Sequence, residues 1–317
     1  MLTNTPVVQI HQSRFCNLKC LHCYSSSGPT ERKSLPVDEI LRTTATLSRA
    51  GYRRASLSGG EPVLAPGFRD LAAGLADQDF RVAVITNGSR PKPLLDAMHE
   101  GVVQHASISF DGPEVLHDTI RSRKGSFRTA LRTLERLANE GLSCGAVLSA
   151  TQHSLPHLPD LVDLVCAAGA AHVQLHPIAS TGRARHEAQT VGPELPPEAL
   201  LRLVAMGRLL QGTYPAVQIQ VDVLLGQALR RVKQCEDDLI SPLVIADDGS
   251  LLPFCFDISR DYALGRLGDP AIDYRLGSRL NALLNRVADK VSTVAATNFY
   301  RELVCASDRE RLAEVEG

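Results

Sequence analysis

The chain has 317 residues, 34 basic and 35 acidic side chains, a net charge of −1, and 44% hydrophobic against 22% charged residues. This balance supplies a globular core, excludes a disordered chain, and offers no basic excess for nucleic acid. Tryptophan is absent and aromatics are 4%, so base-stacking platforms are not expected; no apolar run reaches the roughly 18 residues of a membrane span.

Met1 to Val8 has neither the basic stretch nor the apolar run of an export signal, so a cytoplasmic location is expected. Val7 to His11 is a short β-branched run and reads as a first strand. Val37 to Arg49 has apolar residues at helical spacing and stops at Gly51. Further strands are expected at Arg54 to Leu57, Val82 to Thr86, Ala106 to Phe110, Ala146 to Ala150 and His172 to His176. Asn87-Gly88 and Asp111-Gly112 supply turns after two of them. Helices are expected at Phe68 to Ala76, Leu94 to Met98, Phe127 to Asn139, Leu158 to Ala168 and Leu200 to Leu210. Thr181 to Pro197 is polar and reads as a loop.

This alternation predicts an α/β fold with parallel strands and outer helices, a partial (β/α)6 TIM-like barrel over residues 1–221. Periodicity alone also fits a doubly wound sheet. In such barrels chemistry sits at the C-terminal ends of the strands. After Cys235 the rhythm changes. Leu243 to Ala246, the turn Asp247-Asp248-Gly249 and Leu251-Leu252 read as a hairpin, within a small second domain over residues 222–317.

Eight cysteines occur: Cys16, Cys20 and Cys23 close together, then Cys144, Cys166, Cys235, Cys255 and Cys305. In a reducing compartment such residues are metal ligands, catalytic groups or buried apolar residues more often than disulfides. The spacing C-x3-C-x2-C lets one loop after the first strand wrap one metal centre. Zinc usually takes a fourth Cys or His, and His22 and His11 are near. Three cysteines alone suit a 4Fe–4S cluster with one iron open. Ser58-Gly59-Gly60-Glu61-Pro62 follows the second strand. Its glycines would let a ligand lie against the backbone, with the N–H groups and the Glu61 carboxylate holding an amino or hydroxyl group.

Cys16 to Cys23, with His22 before the last cysteine, followed by Gly59-Gly60-Glu61-Pro62, resembles the radical S-adenosylmethionine (SAM) superfamily over about residues 7–180. Thr86-Asn87-Gly88, Ser107 to Gly112, His117-Asp118, Arg121 and Gly125-Ser126-Phe127 also match. The resemblance implies a cluster on Cys16, Cys20 and Cys23 that binds the methionine end of SAM. It places His22, Gly59, Gly60, Glu61, Pro62, Asn87, Ser109, Asp111 and Arg121 at the cofactor. An arginine fork suits a carboxylate. Cys235, then Gly249 to Cys255, then Leu267-Gly268, resembles the auxiliary-cluster region of the SPASM and twitch subfamilies. One residue more than usual separates glycine from cysteine, and full SPASM domains carry seven cysteines. That implies at most one auxiliary 4Fe–4S cluster, on Cys235, Cys255 and Cys305, with a fourth ligand outside the pattern.

Cys144 and Cys166 carry no motif, and core packing is the ordinary fate of such thiols. One of Cys144 and Cys166 as a hydrogen-atom donor, Cys144 first, and His176 at the end of the sixth strand are further catalytic candidates. Gly182-Arg183-Ala184 resembles a segment of related enzymes and is expected near substrate. The resemblance implies reductive SAM cleavage, a 5′-deoxyadenosyl radical, and hydrogen abstraction from substrate. Relatives with such C-terminal regions mostly modify ribosomally made peptides. A separate leader-binding protein and a reductant such as flavodoxin or ferredoxin are expected partners. The alternatives are a twitch-type dehydrogenase of a small molecule and a zinc-stabilised α/β binding protein.

Overall fold

Alternation along each strand sets the architecture. The computed structural model describes residues 6–222, 239–253, 256, 260–269, 272, 274 and 275. Seven strands run parallel in one sheet: β1 (Val7–His11), β2 (Arg54–Ser58), β3 (Arg81–Thr86), β4 (His105–Phe110), β5 (Cys144–Ala150), β6 (His172–Pro177) and β7 (Gln218–Val221). The register aligns Val8, Ala55 and Val82 in one row and Ile10, Leu57 and Val84 in the next. These residues are buried at 2% exposure or less. The same register puts His11 beside Ser58 and Ser149 beside His176 on the opposite, polar face.

Helices cover the apolar face: α1 (Val37–Ala50), α2 (Phe68–Asp77), α3 (Pro91–His99), α4 (Glu114–Ile120), α5 (Ser126–Asn139), α6 (Leu158–Ala167), α7 (Ala188–Val191) and α8 (Pro197–Thr213). Helix α1 buries Ile40 and Leu47, and α5 buries Phe127, Ala130, Leu134 and Leu137, at the spacing of one helical stripe. Each such large side chain contributes about 1.5–3 kcal/mol by leaving water. Gly51 ends α1 at φ 112°, donating its N–H to the carbonyls of Leu47 and Ser48, as a left-handed cap does.

The hairpin expected near Gly249 is present as β8 (Leu243–Ile245) and β9 (Ser250–Pro253). Strand β8 lies parallel to β1, pairing Val8 with Leu243 and Ile10 with Ile245, so the hairpin continues the barrel sheet. Strand β10 (Gly265–Arg266) pairs antiparallel with β9. Tyr52 locks this edge, its hydroxyl donating to the Ile240 carbonyl at 2.6 Å.

Several short elements exceed the sequence expectation: within Thr181 to Pro197, expected as a loop, lie a 3-10 turn at Gly182–His186 and the four-residue α7, too short to show a period. Strand β7 adds a seventh parallel strand; its sequence QIQV is short and polar on alternate positions, too weak a signal beside α8. Helix α4 has seven residues, under two turns, and shows no usable period. Cys235, Cys255 and Cys305 lie outside the described residues.

Candidate metal centre

The loop between β1 and α1 carries the cysteine triplet, and its shape is set from outside. Locally it folds back on itself: Cys16 N–H donates to the Gly28 carbonyl at 3.2 Å and Gly28 N–H to the Arg14 carbonyl at 3.0 Å. Cys16 and Cys20 are 8% and 7% exposed and pack with Leu18 and the half-buried Cys23, apart from the main core. Leu18 N–H and the Asn87 amide point at Cys16 Sγ, at 3.4 and 3.8 Å. Ser27 N–H points at Cys23 Sγ at 3.3 Å.

Burial pushes the Cys16 thiol up to about 12, with Glu61 adding to it, and the Cys20 thiol up to about 11 against the pull of Arg121. Both thiols therefore stay protonated at neutral pH unless a metal ion takes the proton's place. Among the described residues no three His, Cys, Asp or Glu side chains group as one metal ion requires. Three thiols packed in one loop suit a polynuclear cluster, where each thiolate takes its own iron.

The turn after β2 docks on this loop. Gly60 N–H donates to the Ser13 carbonyl and Glu61 N–H to the Phe15 carbonyl, each at 2.8 Å. A Cβ on Gly60 would stand 2.0 Å from the Phe15 carbonyl oxygen. The sequence expectation gave this turn's N–H groups and Glu61 to a ligand. The Gly60 and Glu61 N–H groups are taken by the cysteine loop; the place of this turn beside a cofactor is a proposal. Glu61 is 2% exposed and accepts from Thr86 Oγ1 at 2.6 Å and Asn87 N–H at 2.9 Å. Burial raises its carboxyl to about 7. Pro62 is buried and opens a single helical turn, Pro62–Leu64. A Cβ on Gly59, whose φ is +107°, would stand 2.8 Å from the Ser13 carbonyl oxygen and 3.2 Å from the His11 α-carbon.

Asp111, 1% exposed at the end of β4, joins four elements. It accepts from His22 Nε2 at 2.7 Å, from Ser149 Oγ at 2.7 Å, and from Arg121 through Nε and, at 3.2 Å, Nη2. Burial alone would raise the Asp111 carboxyl, but Arg121 and His22 hold it well below the usual range. His117, 1% exposed, accepts the Asp111 N–H at 3.2 Å, and burial lowers it to about 4. Leu21 N–H reaches the Ile120 carbonyl at 2.8 Å, seating the loop on the end of α4. Ser109 lies half-buried one residue before the end of β4.

His176 Nδ1 pairs with Asp222 Oδ2 at 2.6 Å, and Gln174 donates to the same oxygen at 2.6 Å. Cys144 is different. It is the first residue of β5, 1% exposed, near the Leu134 and Gly169 carbonyls in the core. That is the wrong end of the sheet for a hydrogen-atom donor, which removes it from the catalytic candidates. Ser149 and Asp222 escaped the sequence reading, although both stand at C-terminal strand ends, where the barrel rule looks for chemistry.

Four buried side-chain atoms among the described residues have no hydrogen-bond partner: both ring nitrogens of His11, His22 Nδ1 and Thr181 Oγ1. All belong to the cysteine loop or its immediate surroundings. His11 stacks on Phe256 with ring centroids 4.5 Å apart and meets Tyr24 edge-on, and Thr181 precedes Gly182, which abuts Tyr24. Buried orphans are rare and call for a partner. Three clustered thiols ringed by orphaned polar atoms fit a cluster with a polar cofactor beside it.

Residues 10–165 match the Radical SAM superfamily. The chain is 30% identical over 162 residues to Fe-coproporphyrin III synthase of Methanosarcina barkeri, covering 50% of this chain and 41% of that protein. It is 29% identical over 171 residues to the sporulation killing factor maturation protein SkfB of Bacillus subtilis, covering 53% and 42%. The matches thus span about two fifths of these curated relatives. Among solved structures, SuiB of Streptococcus suis bound to precursor peptide SuiA superposes with a TM-score of 0.68 at 15% identity, covering 88% of this chain and 66% of that one. At that identity the likeness is one of fold.

Proposed function

We propose, for a chain whose residues 10–165 form a radical SAM domain, that it is an iron–sulfur enzyme acting on a ribosomally made peptide. The packing of Cys16, Cys20 and Cys23 into one cluster at the C-terminal end of β1 carries this reading. Bound there, a 4Fe–4S cluster with SAM supplies one-electron cleavage to a carbon radical able to take hydrogen from an unactivated C–H bond. The protein's part is positional. Asp111 and Arg121 fix the His22 ring, so that Nδ1 stays available within the loop. Asn87 braces Cys16 and Asn17. The polar face of the sheet, including Ser109, Ser149 and the His176–Asp222 pair, lines the route to substrate.

Support for a peptide comes from a maturation protein among the relatives and from a fold neighbour solved with a precursor peptide. A small-molecule substrate is the second reading, because another relative is a coproporphyrin enzyme. A second cluster on Cys235, Cys255 and Cys305 belongs to this proposal, as do a separate leader-binding protein, a flavodoxin or ferredoxin reductant and a cytoplasmic location. Among the described residues no helix is long and apolar enough to cross a membrane. Anaerobic reconstitution followed by reduction tests the chemistry: about 4 irons per chain at least and 5′-deoxyadenosine formation are expected. A colourless protein that carries zinc instead would refute it. Mass change in a co-expressed precursor peptide, rather than in a porphyrin, decides the substrate.

A further inference from the structure

The segment after β6 does more than border the substrate. Arg183 Nε donates to the Cys20 carbonyl at 2.8 Å and Nη2 to the Ser27 carbonyl at 2.7 Å. Its own backbone N–H donates to the Cys23 carbonyl at 3.1 Å. One residue therefore spans the loop from Cys20 to Ser27 and brackets Cys23 between its contacts. Gly182 lies so close that a Cβ would stand 2.2 Å from the Tyr24 carbonyl oxygen and 2.4 Å from that of Cys23, and its φ of +54° is left-handed. Thr181 Oγ1, next in the chain, is one of the buried orphans. No regular element spans residues 20–27; the local order there comes from single turn bonds, Cys23 N–H to the Cys20 carbonyl at 3.3 Å and Ser26 N–H to the Cys23 carbonyl at 3.2 Å, to which Arg183 adds a hold from outside the loop.

We propose that Arg183 is a positioning residue, a clasp from β6 that holds the second half of the cysteine loop in the shape the cluster requires. The physical argument is the planar fork. Two N–H groups of a guanidinium reach two carbonyls at a fixed angle, which a lysine ammonium on a flexible stem does not reproduce. The fork also puts a permanent positive charge beside a loop that must carry thiolates. That charge favours the added electron of a reduced cluster. The fork's hold on the loop exists without metal; the effect of its charge on the cluster rests on the functional reading above.

Arg183→Gln and Arg183→Lys test this in the full chain. In metal-free protein, amide exchange over residues 20–27 should quicken by ~10-fold or more in the Gln variant, the scale of losing hydrogen bonds from a charged donor. Exchange in β3 and β4 should stay unchanged. Iron loss to a chelator after reconstitution should quicken similarly, and the cluster's midpoint potential should fall. Wild-type exchange over residues 20–27 in the Gln variant would overturn the proposal. If the Gln variant unfolds globally, the Lys variant decides, since it keeps charge and stem. Faster loop exchange with an intact barrel supports the clasp, and wild-type behaviour refutes it. Should wild-type protein itself take up no four-iron cluster, the radical reading fails, while the exchange result on metal-free protein still judges the clasp.

Discussion

Alanine at Gly60 should detach the cysteine loop. The new Cβ would stand 2.0 Å from the Phe15 carbonyl oxygen and within 2.8 Å of two backbone carbons. Real contacts begin near 3.0 Å, so the loop must retreat by about 1 Å, and no flexible side chain can absorb the shift. The overpacking costs ~1–3 kcal/mol. The retreat also strains the Gly60-to-Ser13 and Glu61-to-Phe15 bonds, both 2.8 Å, at about 1 kcal/mol each. The sum is about 3–5 kcal/mol, below the total stability of a typical domain but enough to shift loop docking by ~100-fold or more. Gly28 is the internal control. It lies in the same loop, and its Cβ would meet nothing within 4 Å, so Gly28→Ala should be neutral within about 0.5 kcal/mol. Iron per chain after identical reconstitution, with thermal melting of the metal-free protein, reads both variants. Gly60→Ala should lose most of its iron while the barrel stays folded. Iron content and melting equal to wild type would refute the packing argument and return Gly60 to a purely ligand-facing role.

Replacing Cys16, Cys20 and Cys23 together by Ala should remove about four irons and abolish 5′-deoxyadenosine formation; surviving SAM cleavage would sink the assignment. Replacing Cys235, Cys255 and Cys305 should remove a further four or so and stop turnover of the true substrate while SAM cleavage persists in part; a fully loaded wild type with only about four irons argues against that second centre. His117 should make the fold acid-sensitive. Burial lowers its folded value from 6.5 to about 4, so the unfolded chain takes up the proton first as pH falls. Its stabilisation is complete above about pH 6.5 and is lost toward pH 4, on the order of 3 kcal/mol. Glu61, raised from 4.5 to about 7 by burial, opposes this, since its stabilisation fades as pH rises through the same range. The measurement is therefore the difference in urea midpoint between wild type and His117→Asn at pH 7.5 and pH 5; an equal acid loss in both would exclude His117 as a source.

The strands and helices were legible because each follows a local rule. Val82 to Thr86 and Ala106 to Phe110 carry the alternation of a sheet with one face against helices, and α5 carries a clean stripe. The cysteine spacing and the Gly-Gly-Glu turn were legible as motifs. What the motifs do to each other was not. A pair of glycines says that something comes close, not whether it is a cofactor or the chain's own Phe15. The resemblance places Asp111 at the cofactor; its carboxylate oxygens meet His22, Arg121 and Ser149, residues 89, 10 and 38 positions away, a network no local pattern announces. Arg183 is 163 residues from Cys20, beyond any periodicity.

Those distances bear on how the metal centre works. The cysteine loop is held by tethers from the ends of β2, β3, β4 and β6, through Gly60, Asn87, Asp111 and Arg183. A loop whose shape depends on so many distant strands forms only when the sheet has assembled. The protein thereby spends its ordering entropy at folding rather than at cluster binding. The same dependence lets a change at a strand end reach the thiols, and β6 is the sharpest case: His176 near its end, paired with Asp222, is on the polar face proposed as the substrate route, while Arg183 a few residues later grips Cys20 and Ser27. A shift of that segment on substrate binding would be felt by the cluster loop through the clasp, without any direct contact between substrate and the cysteines.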